Sequence, residues 1–243
     1  MSLYGKVAVV TGGSRGIGRA IAMALAGRGA QVAICHYADP EAEKTLAALK
    51  AVSDGMAVDA DVSDEAQVKA LFDRVNDQLG AVDILVNNAG ILHESPLPET
   101  EVADFDRVIA VNLRGTFLNA REFVRRSGEG RIINIASDLG ILGREDMAAY
   151  TASKGAIISL TRTLARELAP DVLVNTIAPG SIETDMTSPA SMSPEQIAKD
   201  LATPLARFGQ PEEIAAMAVF LAGPDSGFIT GQCFGVNGGS VMH

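Results

Sequence analysis

Aromatic residues are scarce in this sequence of 243 residues: they make up 5% of it, and tryptophan is absent. The hydrophobic content of 47% must therefore come mainly from alanine, valine, isoleucine and leucine, which is typical of parallel sheets covered by helices. Cysteine is scarce as well. Cys35 and Cys233 lie in apolar, strand-like runs, so we predict two small core residues and exclude a disulfide-stabilised scaffold.

Positive charge and long apolar runs are also lacking. Lys and Arg number 20 against 30 Asp and Glu, which gives a net charge of −10. This balance argues against a nucleic-acid partner, because phosphates would be repelled and no basic stripe compensates. No apolar run approaches the roughly 18 residues of a membrane span, and no signal-like segment precedes residues 6–10. We expect a cytoplasmic protein without a membrane partner, and no metal site is predicted.

Short apolar runs alternate with amphipathic stretches along the whole chain. The runs that predict strands are Val7–Thr11, Gln31–Cys35, Met56–Ala60, Ile84–Asn87, Ile132–Ala136, Leu173–Ile177 and Gln232–Val236. Helices are predicted to begin near Gly16, Pro40, Asp64, Glu101, Met147, Pro194 and Pro211. Because no linker or repeat interrupts this alternation, we predict one α/β domain over residues 1–243. Its core is a doubly wound parallel sheet of about seven strands with helices on both faces.

A glycine-rich turn connects the first predicted strand to the first helix. It reads Thr11-Gly-Gly-Ser-Arg-Gly-Ile-Gly18, in which Gly12 permits a tight turn, Gly16 lets a phosphate approach the backbone, and Gly18 lets helix and strand pack closely. Free N–H groups and the helix dipole at such a turn favour a pyrophosphate. An ordinary strand-to-helix turn is the alternative, but the position at the start of the chain favours a nucleotide.

The glycine spacing Gly-x-x-x-Gly-x-Gly resembles that of the short-chain dehydrogenase/reductase family. The resemblance continues through Asp61-Val62, Asn87-Asn-Ala-Gly90, Asn112, Ser137, Tyr150-x-x-x-Lys154, Pro179-Gly180 and Thr184. It implies a Rossmann fold, with the cofactor-binding half at about 1–130 and the catalytic, substrate-binding half at about 131–243. It also implies an NAD(P)-dependent oxidoreductase that interconverts a carbonyl and a secondary alcohol. Residues 203–214 and 229–239 are most similar to the 3-oxoacyl-carrier-protein reductases of the family.

Four residues form the candidate catalytic set. Tyr150 and Lys154 lie four apart on a predicted helix, so they share a face, and a nearby ammonium would lower the pKa of the phenol. Ser137 follows a strand and can donate to a substrate carbonyl, although it could equally cap a helix. The resemblance makes Tyr150 the acid or base, lets Lys154 also hold the ribose, and gives Asn112 a proton relay from Lys154 to water. Asn112 could also kink a long helix.

The resemblance also implies further cofactor contacts. Asp61 would accept from the adenine amino group beside Val62, or else cap the helix near Asp64. Asn88, Ala89 and Gly90 would line the ribose. Pro179, Gly180, Ile182 and Thr184 would hold the carboxamide end. Ser14 and Ile17 complete the glycine-rich turn.

The choice between NADP and NAD depends on the end of the second strand. An acid there usually accepts from the 2′-hydroxyl of NAD, but His36 occupies that position. Asp39 could swing back to the ribose or cap the next helix. Arg15 precedes the second loop glycine, where a guanidinium could meet a 2′-phosphate. NADP is therefore favoured over NAD.

The substrate is expected to be a small carbonyl compound or alcohol. The polar residues Asp138, Arg144, Glu145 and Asp146 favour a sugar or polyol, unless they are merely solvated loop residues. Gly128 and Asp171 stand where carrier-docking reductases have basic residues, and the net charge would oppose an acidic carrier. A cofactor-sensing protein without turnover is a further alternative, although such proteins usually lose the tyrosine or lysine first.

A homotetramer is implied by the resemblance. The helices ending near Arg126 and Leu168 would pair with their copies, and the C-terminal strand would form a second contact. The first of these helices is about one turn shorter than expected of the family. The remaining face is predicted to consist of Val108, Val111, Phe117 and Leu118, with Leu160 and Leu164 on the partner helix.

Overall fold

The computed structural model describes residues 2–188, 190 and 192–242. These residues contain a seven-stranded sheet in the order β3-β2-β1-β4-β5-β6-β7, and every neighbouring pair is parallel. Its strands are β1 (Val7–Thr11), β2 (Gln31–His36), β3 (Gly55–Asp59), β4 (Ile84–Asn87), β5 (Gly130–Ile135), β6 (Val172–Pro179) and β7 (Cys233–Val236). The predicted doubly wound sheet is confirmed, and the strand order reverses between β1 and β4.

Helices cover both faces of the sheet. They are α1 (Gly16–Ala26), α2 (Glu41–Lys50), α3 (Glu65–Gln78), α4 (Val102–Ile109), α5 (Gly115–Arg126), α6 (Leu139–Leu142), α7 (Ala148–Leu168), α8 (Pro194–Leu201) and α9 (Pro211–Ala222). Single 3-10 turns lie at Leu97–Glu99 and Pro224–Ser226. The side chains of β1 alternate between two cores: Ala8 and Val10 pack with α1, α2 and α9, whereas Val7 and Val9 pack with α3 and α5.

Most element ends lie within one or two residues of their predicted positions. β6 is longer than predicted because Val172 pairs with β5 at one end, and Ala178 and Pro179 pair with β7 at the other. Its polar residues are bonded inside the fold: Asn175 donates to the Ile229 carbonyl at 2.9 Å, and Thr176 shares a hydrogen bond with Thr161 at 2.6 Å. All eight residues of this strand are buried. The short helix α6 was not predicted, since four residues give no periodicity. Both cysteines are free thiols, and Cys35 is buried as expected.

The long helix around Asn112 is interrupted as the sequence suggested, but for another reason. A π-helical segment, Ala110–Arg114, separates α4 from α5. The Asn112 side chain does not compete for its own helix backbone; it donates to the Ile91 carbonyl at 3.0 Å and accepts from the Ile91 amide at 2.8 Å. Such π-turns are frequent at functional sites.

The apolar face predicted for subunit pairing differs from the one observed. Val108, Val111 and Leu118 are buried inside the chain, because α4 and α5 turn these positions toward the sheet and α7. The exposed apolar side chains there are Val102, Phe105 and Phe117.

Candidate active site

A cleft of about 730 Å³ lies at the carboxyl ends of the strands, across the point where the strand order reverses. Ligands of open parallel sheets bind at this position. The predicted site residues that line it are Gly12, Ser14, Arg15, Gly16, Ile17, Gly18, His36, Asp61, Val62, Asn88, Ala89, Gly90, Ser137, Tyr150, Lys154, Pro179, Gly180, Ile182 and Thr184. Asn112 is fully buried and does not line the cleft; it bonds to Ile91, which does.

The glycine-rich turn has the shape that a bound pyrophosphate needs. A Cβ on Gly18 would lie 2.0 Å from the Gly12 carbonyl oxygen, and one on Gly12 would lie 2.9 Å from the Ala89 Cα, so both positions require glycine. Gly16 has a φ of +53°, but a Cβ there would meet only Thr184, at 3.4 Å or more. Open space therefore lies over Gly16 at the beginning of α1, where N–H groups and the helix dipole favour an anion.

Asn88 braces this turn from the opposite side of the crevice. Its Nδ2 donates to the carbonyls of Thr11 and Gly12 at 2.9 and 3.0 Å. The Thr11 hydroxyl in turn accepts from the backbone N–H groups of Asn88 and Ala89, both at 3.0 Å. Asn88 thus fixes the loop as well as facing the predicted ribose position. Thr11 is a site residue that the sequence analysis missed, because a strand threonine carries no distinguishing signal.

Arg15 and Asp39 meet where the 2′-group of the cofactor is expected. Arg15 Nε lies 3.3 Å from Asp39 Oδ2, and Arg15 Nη1 lies 3.2 Å from Asp185. The same Asp39 oxygen accepts from Ser14 Oγ at 2.7 Å, while Oδ1 accepts from the Glu41 amide at the beginning of α2. The Ser14 hydrogen bond, the Glu41 amide and the Arg15 charge together lower the pKa of Asp39 despite its partial burial. Asp39 thus binds the first amide of α2 and also lines the cleft, and its suggested contact with the ribose stays a prediction.

The acceptors of Asp61 are already engaged within the protein. Oδ1 accepts from the Ser63 amide at 2.8 Å and from its hydroxyl at 2.6 Å, and both Nη atoms of Arg107 donate to Oδ2 at 3.2 Å. Burial raises the pKa of Asp61, but these donors outweigh it and lower the pKa overall. Asp61 lies in the cleft as predicted, yet an adenine amino group would have to share it with Arg107. No sequence signal placed Arg107 there.

Tyr150 and Lys154 project from one face of α7, as their spacing predicts. Lys154 Nζ lies 5.6 Å from the centre of the Tyr150 ring and donates to the Ile135 carbonyl at 2.9 Å. Burial lowers the pKa of Lys154 to about 8. Burial also raises the pKa of Tyr150 to about 12, although a hydrogen bond with Ser137 opposes this rise. We expected Lys154 to lower the pKa of Tyr150, but without a bound cofactor this pKa is raised, because desolvation of the phenolate dominates.

Ser137 makes the hydrogen bond expected of a helix cap, and its contact with a substrate carbonyl stays a prediction. Its Oγ accepts from the Leu139 amide at 3.1 Å, which caps α6, and it also lies within hydrogen-bond reach of Tyr150. Gly90 lies between Asn112 and Lys154: a Cβ there would be 3.4 Å from Asn112 Oδ1 and 3.5 Å from Lys154 Nζ. The four candidate catalytic residues are therefore brought together around the end of β5.

The charges predicted to make a polar rim are mostly paired within the chain. Arg144 Nη1 lies 2.6 Å from buried Asp200, and Glu145 pairs with Lys199, so these residues fasten the segment before α7 to α8. The Asp146 carbonyl accepts from the Ser95 amide at 2.8 Å. The side chains of Arg144 and Glu145 are therefore paired and not free for a polyol, whereas the Asp146 side chain is exposed, as in a solvated loop. Sequence reasoning could not find Asp200, because it comes from a distant part of the chain.

Two further observations concern the residues in the described ranges. Their His, Cys, Asp and Glu side chains form no group of three or more that could hold a metal ion. Nor does any helix within those ranges combine the length and apolar character of a membrane span.

Comparison with known proteins gives full-length matches. The family model described as enoyl-(acyl carrier protein) reductase matches residues 12–241. The chain is 41% identical over 247 residues to the 3-oxoacyl-(acyl-carrier-protein) reductase FabG of Vibrio cholerae, and this alignment covers 100% of both proteins. It is 42% identical over 245 residues to the corresponding reductase of Staphylococcus aureus, which covers 98% of both.

Solved structures match equally well. A dehydrogenase/reductase from Sinorhizobium meliloti has a TM-score of 0.94 at 41% identity, covering 99% of this chain and 97% of that one. A short-chain dehydrogenase from Burkholderia cenocepacia, in complex with NADP, has a TM-score of 0.93 at 37% identity, covering 98% and 99%. A blue fluorescent protein from a metagenomic library, in complex with NADPH, has a TM-score of 0.92 at 39% identity, covering 100% of both.

Proposed function

Because the chain belongs to the short-chain dehydrogenase/reductase family, we propose that it reduces the carbonyl of a 3-oxoacyl thioester with NADPH. Family membership makes it an NAD(P)-dependent oxidoreductase that interconverts a carbonyl and a secondary alcohol. The observation that carries the proposal is the buried cluster of Tyr150, Lys154 and Ser137 at the end of a cleft whose glycine-rich turn fits a pyrophosphate.

In the reducing direction Tyr150 donates its phenol proton to the carbonyl oxygen. A pKa of about 12 keeps this proton in place at neutral pH before reaction. Ser137 donates a hydrogen bond to the same oxygen, where negative charge develops. Lys154, whose pKa of about 8 leaves it mostly charged at pH 7, stabilises the resulting phenolate and binds the ribose. Asn112 sustains the proton relay beside Lys154, and a nicotinamide held in the cleft would supply the hydride.

NADP(H) is the proposed cofactor. Its 2′-phosphate would bind Arg15, which lies at the mouth of the cleft beside Ser14 and is largely exposed. Two similar structures hold NADP or NADPH, which supports this choice. Asp39 favours the alternative, NAD, because its ionised carboxylate faces the same region and could accept from a 2′-hydroxyl.

An acyl substrate is supported by exposed apolar side chains in the cleft and on α6. Ile141 and Leu142 on α6, a few residues after Ser137, have exposed side chains. The exposed side chain of Met186 lines the cleft. Their exposure suits an acyl chain better than a polyol. The names of the relatives point the same way. A sugar or polyol remains the second candidate, since Glu94 and Arg107 also line the cleft.

Conversion of Tyr150 to Phe tests the assignment. Tyr150→Phe retains the ring but removes the proton, so NADPH binding should stay within about twofold while turnover falls at least tenfold. Tyr4→Phe, which changes an exposed tyrosine that does not line the cleft, is the matched control. The assignment of Tyr150 fails if the Tyr150→Phe protein keeps more than about a tenth of the wild-type rate.

A further inference from the structure

Asp138 is a buried carboxyl group that the proposed reaction does not use. It directly follows Ser137 at the carboxyl end of β5 and is 6% exposed. Its amide donates to the Pro179 carbonyl at 3.0 Å, and its carbonyl accepts from Ile141 and Leu142 in α6. Its backbone is thus fixed between β6 and α6. Asp138 does not line the cleft; its charge helps to raise the pKa of Tyr150, and its hydrogen bonds reach the site through a neighbour.

That neighbour is Ser137. Ser137 Oγ donates to Asp138 Oδ1 at 3.2 Å and accepts from the Leu139 amide at 3.1 Å. These two bonds hold the hydroxyl oxygen in one place. The bond to Asp138 is longer than the usual 2.7–2.8 Å of an O–H···O bond. Because a hydroxyl has one hydrogen, Ser137 must break this bond to donate a hydrogen bond to a carbonyl oxygen that is gaining negative charge, while the Leu139 amide still holds its oxygen; the length of the bond to Asp138 makes this exchange easy.

Asp138 is itself held by the C-terminal segment. Ser240 Oγ donates to Asp138 Oδ2. Ser240 lies in a tight turn in which its amide donates to the Asn237 carbonyl at 3.2 Å and the Gly239 amide donates to Asn237 Oδ1 at 3.0 Å. The chain of hydrogen bonds therefore runs from Ser240 through Asp138 to the Ser137 hydroxyl.

The charges around Asp138 agree with this arrangement. Burial raises the pKa of Asp138, the nearby charge of Asp200 raises it further, and the donors Ser240 and Ser137 oppose the rise. Asp200 is paired with Arg144 at 2.6 Å, and Lys154 is bound to the Ile135 carbonyl. No cationic side chain in the described part of the chain is bonded to Asp138. The two serine hydroxyls are the side-chain partners of the Asp138 carboxylate among the described residues.

We infer that Asp138 is a positioning residue, which holds the Ser137 hydroxyl at the reacting oxygen and is held in turn by Ser240. The inference rests on the proposed function, in which Ser137 contacts the substrate carbonyl. A small displacement of a catalytic group can cost up to about a hundredfold in rate. Asp138→Val, which removes both acceptors, is therefore expected to lower the single-turnover rate of carbonyl reduction about tenfold. Asp138→Asn retains an acceptor for Ser137 and should restore at least half of the rate.

A double-mutant cycle with Ser137→Ala tests whether Asp138 acts through Ser137. Since groups that act together are not additive, Asp138→Val should cause no further loss in the Ser137→Ala background. In the wild-type background, Ser240→Ala should lower the single-turnover rate about threefold. In the Ser137→Ala background it should not lower the rate further. Ser53→Ala, which removes a serine hydrogen bond to the Ala30 carbonyl far from the cleft, is the matched control and should change nothing. NADPH affinity, followed by fluorescence titration, should stay within twofold throughout.

The possible outcomes are distinct. Equal losses from Asp138→Val in both backgrounds would mean a general structural role and would overturn the inference while leaving the proposed function intact. If Ser137→Ala alone has no effect, the assigned role of Ser137 fails and the inference fails with it. If Asp138→Val does not fold, as judged by thermal unfolding, the Ser240→Ala cycle decides by the same criterion.

Discussion

At the scale of single residues, Glu122 shows how a buried charge is tolerated in this protein. It lies on α5, is 2% exposed, and accepts from Arg125 at 2.8 Å and from Arg126. Burial alone would raise the pKa of Glu122, but the hydrogen bonds and charges of these arginines outweigh it and lower the pKa. A carboxyl group with a lowered pKa in the folded state stabilises the protein above its unfolded pKa of about 4.3, and this stabilisation is lost as the pH falls through the folded value.

Glu122→Gln is accordingly expected to lower the free energy of unfolding at pH 7 by about 2 kcal/mol, because the arginines lose a buried partner but remain partly hydrated. The difference from the wild type should shrink as the pH is lowered from 7 toward 3. Urea unfolding across this range measures it, with Glu65→Gln, an exposed ion-pair partner on α3, as the control. A difference that stays constant with pH would show that the charge of Glu122 is not responsible.

The identity of the site residues could be read from the sequence, whereas their electrostatics could not. Tyr150 and Lys154 share a face because four residues make about one helical turn, which is a local property. The raised pKa of Tyr150 depends on how completely the rest of the chain excludes water, and Asp138 contributes to it through a side chain that no motif marks. The hydrogen bonds from Arg107 to Asp61 and from Ser240 to Asp138 were likewise not predictable, because each joins residues that are far apart in the sequence and that only the fold brings together.

At the scale of elements, the turn between β1 and α1 carries the choice of cofactor. Arg15 stands at the N-cap position of α1 and is held between Asp39 and Asp185. If NADPH is preferred, Arg15→Ala should weaken NADPH binding about tenfold to a hundredfold, since a charge-assisted contact to phosphate contributes roughly 1.5–3 kcal/mol. NADH binding should change little. Titration of both cofactors measures this, with Arg19→Ala, an exposed arginine on the same helix, as the control.

The opposite result has an equally clear meaning. Tighter binding of NADH than of NADPH, abolished by Asp39→Ala, would show that Asp39 binds the ribose and that Arg15 does not select the phosphate.

The helices and strands could be predicted from periodicity and capping signals in the sequence, whereas irregularities within them could not. α3 begins near Asp64 as predicted, but Asp64 itself, and not the suggested Asp61, caps it through the amides of Ala66 and Gln67. The π-turn at Ala110–Arg114 depends instead on Asn112 bonding to Ile91 on a separate loop, so the local sequence gives only a hint of it. The paired charges of Arg144 and Asp200 likewise depend on α8 packing near the site.

At the scale of the whole molecule, two surfaces are suited to pairing with further copies. Val102, Phe105 and Phe117 are exposed apolar side chains on α4 and α5, and β7 is a partly exposed strand at the edge of the sheet. α5 ends at Arg126, only three residues before β5 begins, so the helix surface is shorter at this end. Central contacts carry most of the energy of an interface, so a shortened helix end should not prevent pairing.

We therefore expect a homotetramer, with a mass by light scattering of about four times the chain mass of 25.3 kDa at micromolar concentration. Phe117→Asp should reduce this to a dimer, since it introduces a charge into the helix surface. Lys69→Asp, a charge reversal at a partly exposed position on α3, is the control. A monomeric wild type would refute the assembly, and a dimeric wild type would mean that one of the two interfaces is absent.

Reduction of carbonyls with a nicotinamide cofactor can be measured by following the nicotinamide absorbance with the wild-type protein. The substrates are 3-oxoacyl thioesters, aldoses and diketones with NADPH or NADH, and polyols with the oxidised cofactors. We expect oxidation of NADPH that depends on a 3-oxoacyl thioester and is faster than with any aldose. A protein that binds NADPH tightly but turns over none of these compounds in either direction would not be a carbonyl reductase, and a cofactor-sensing role would then be indicated.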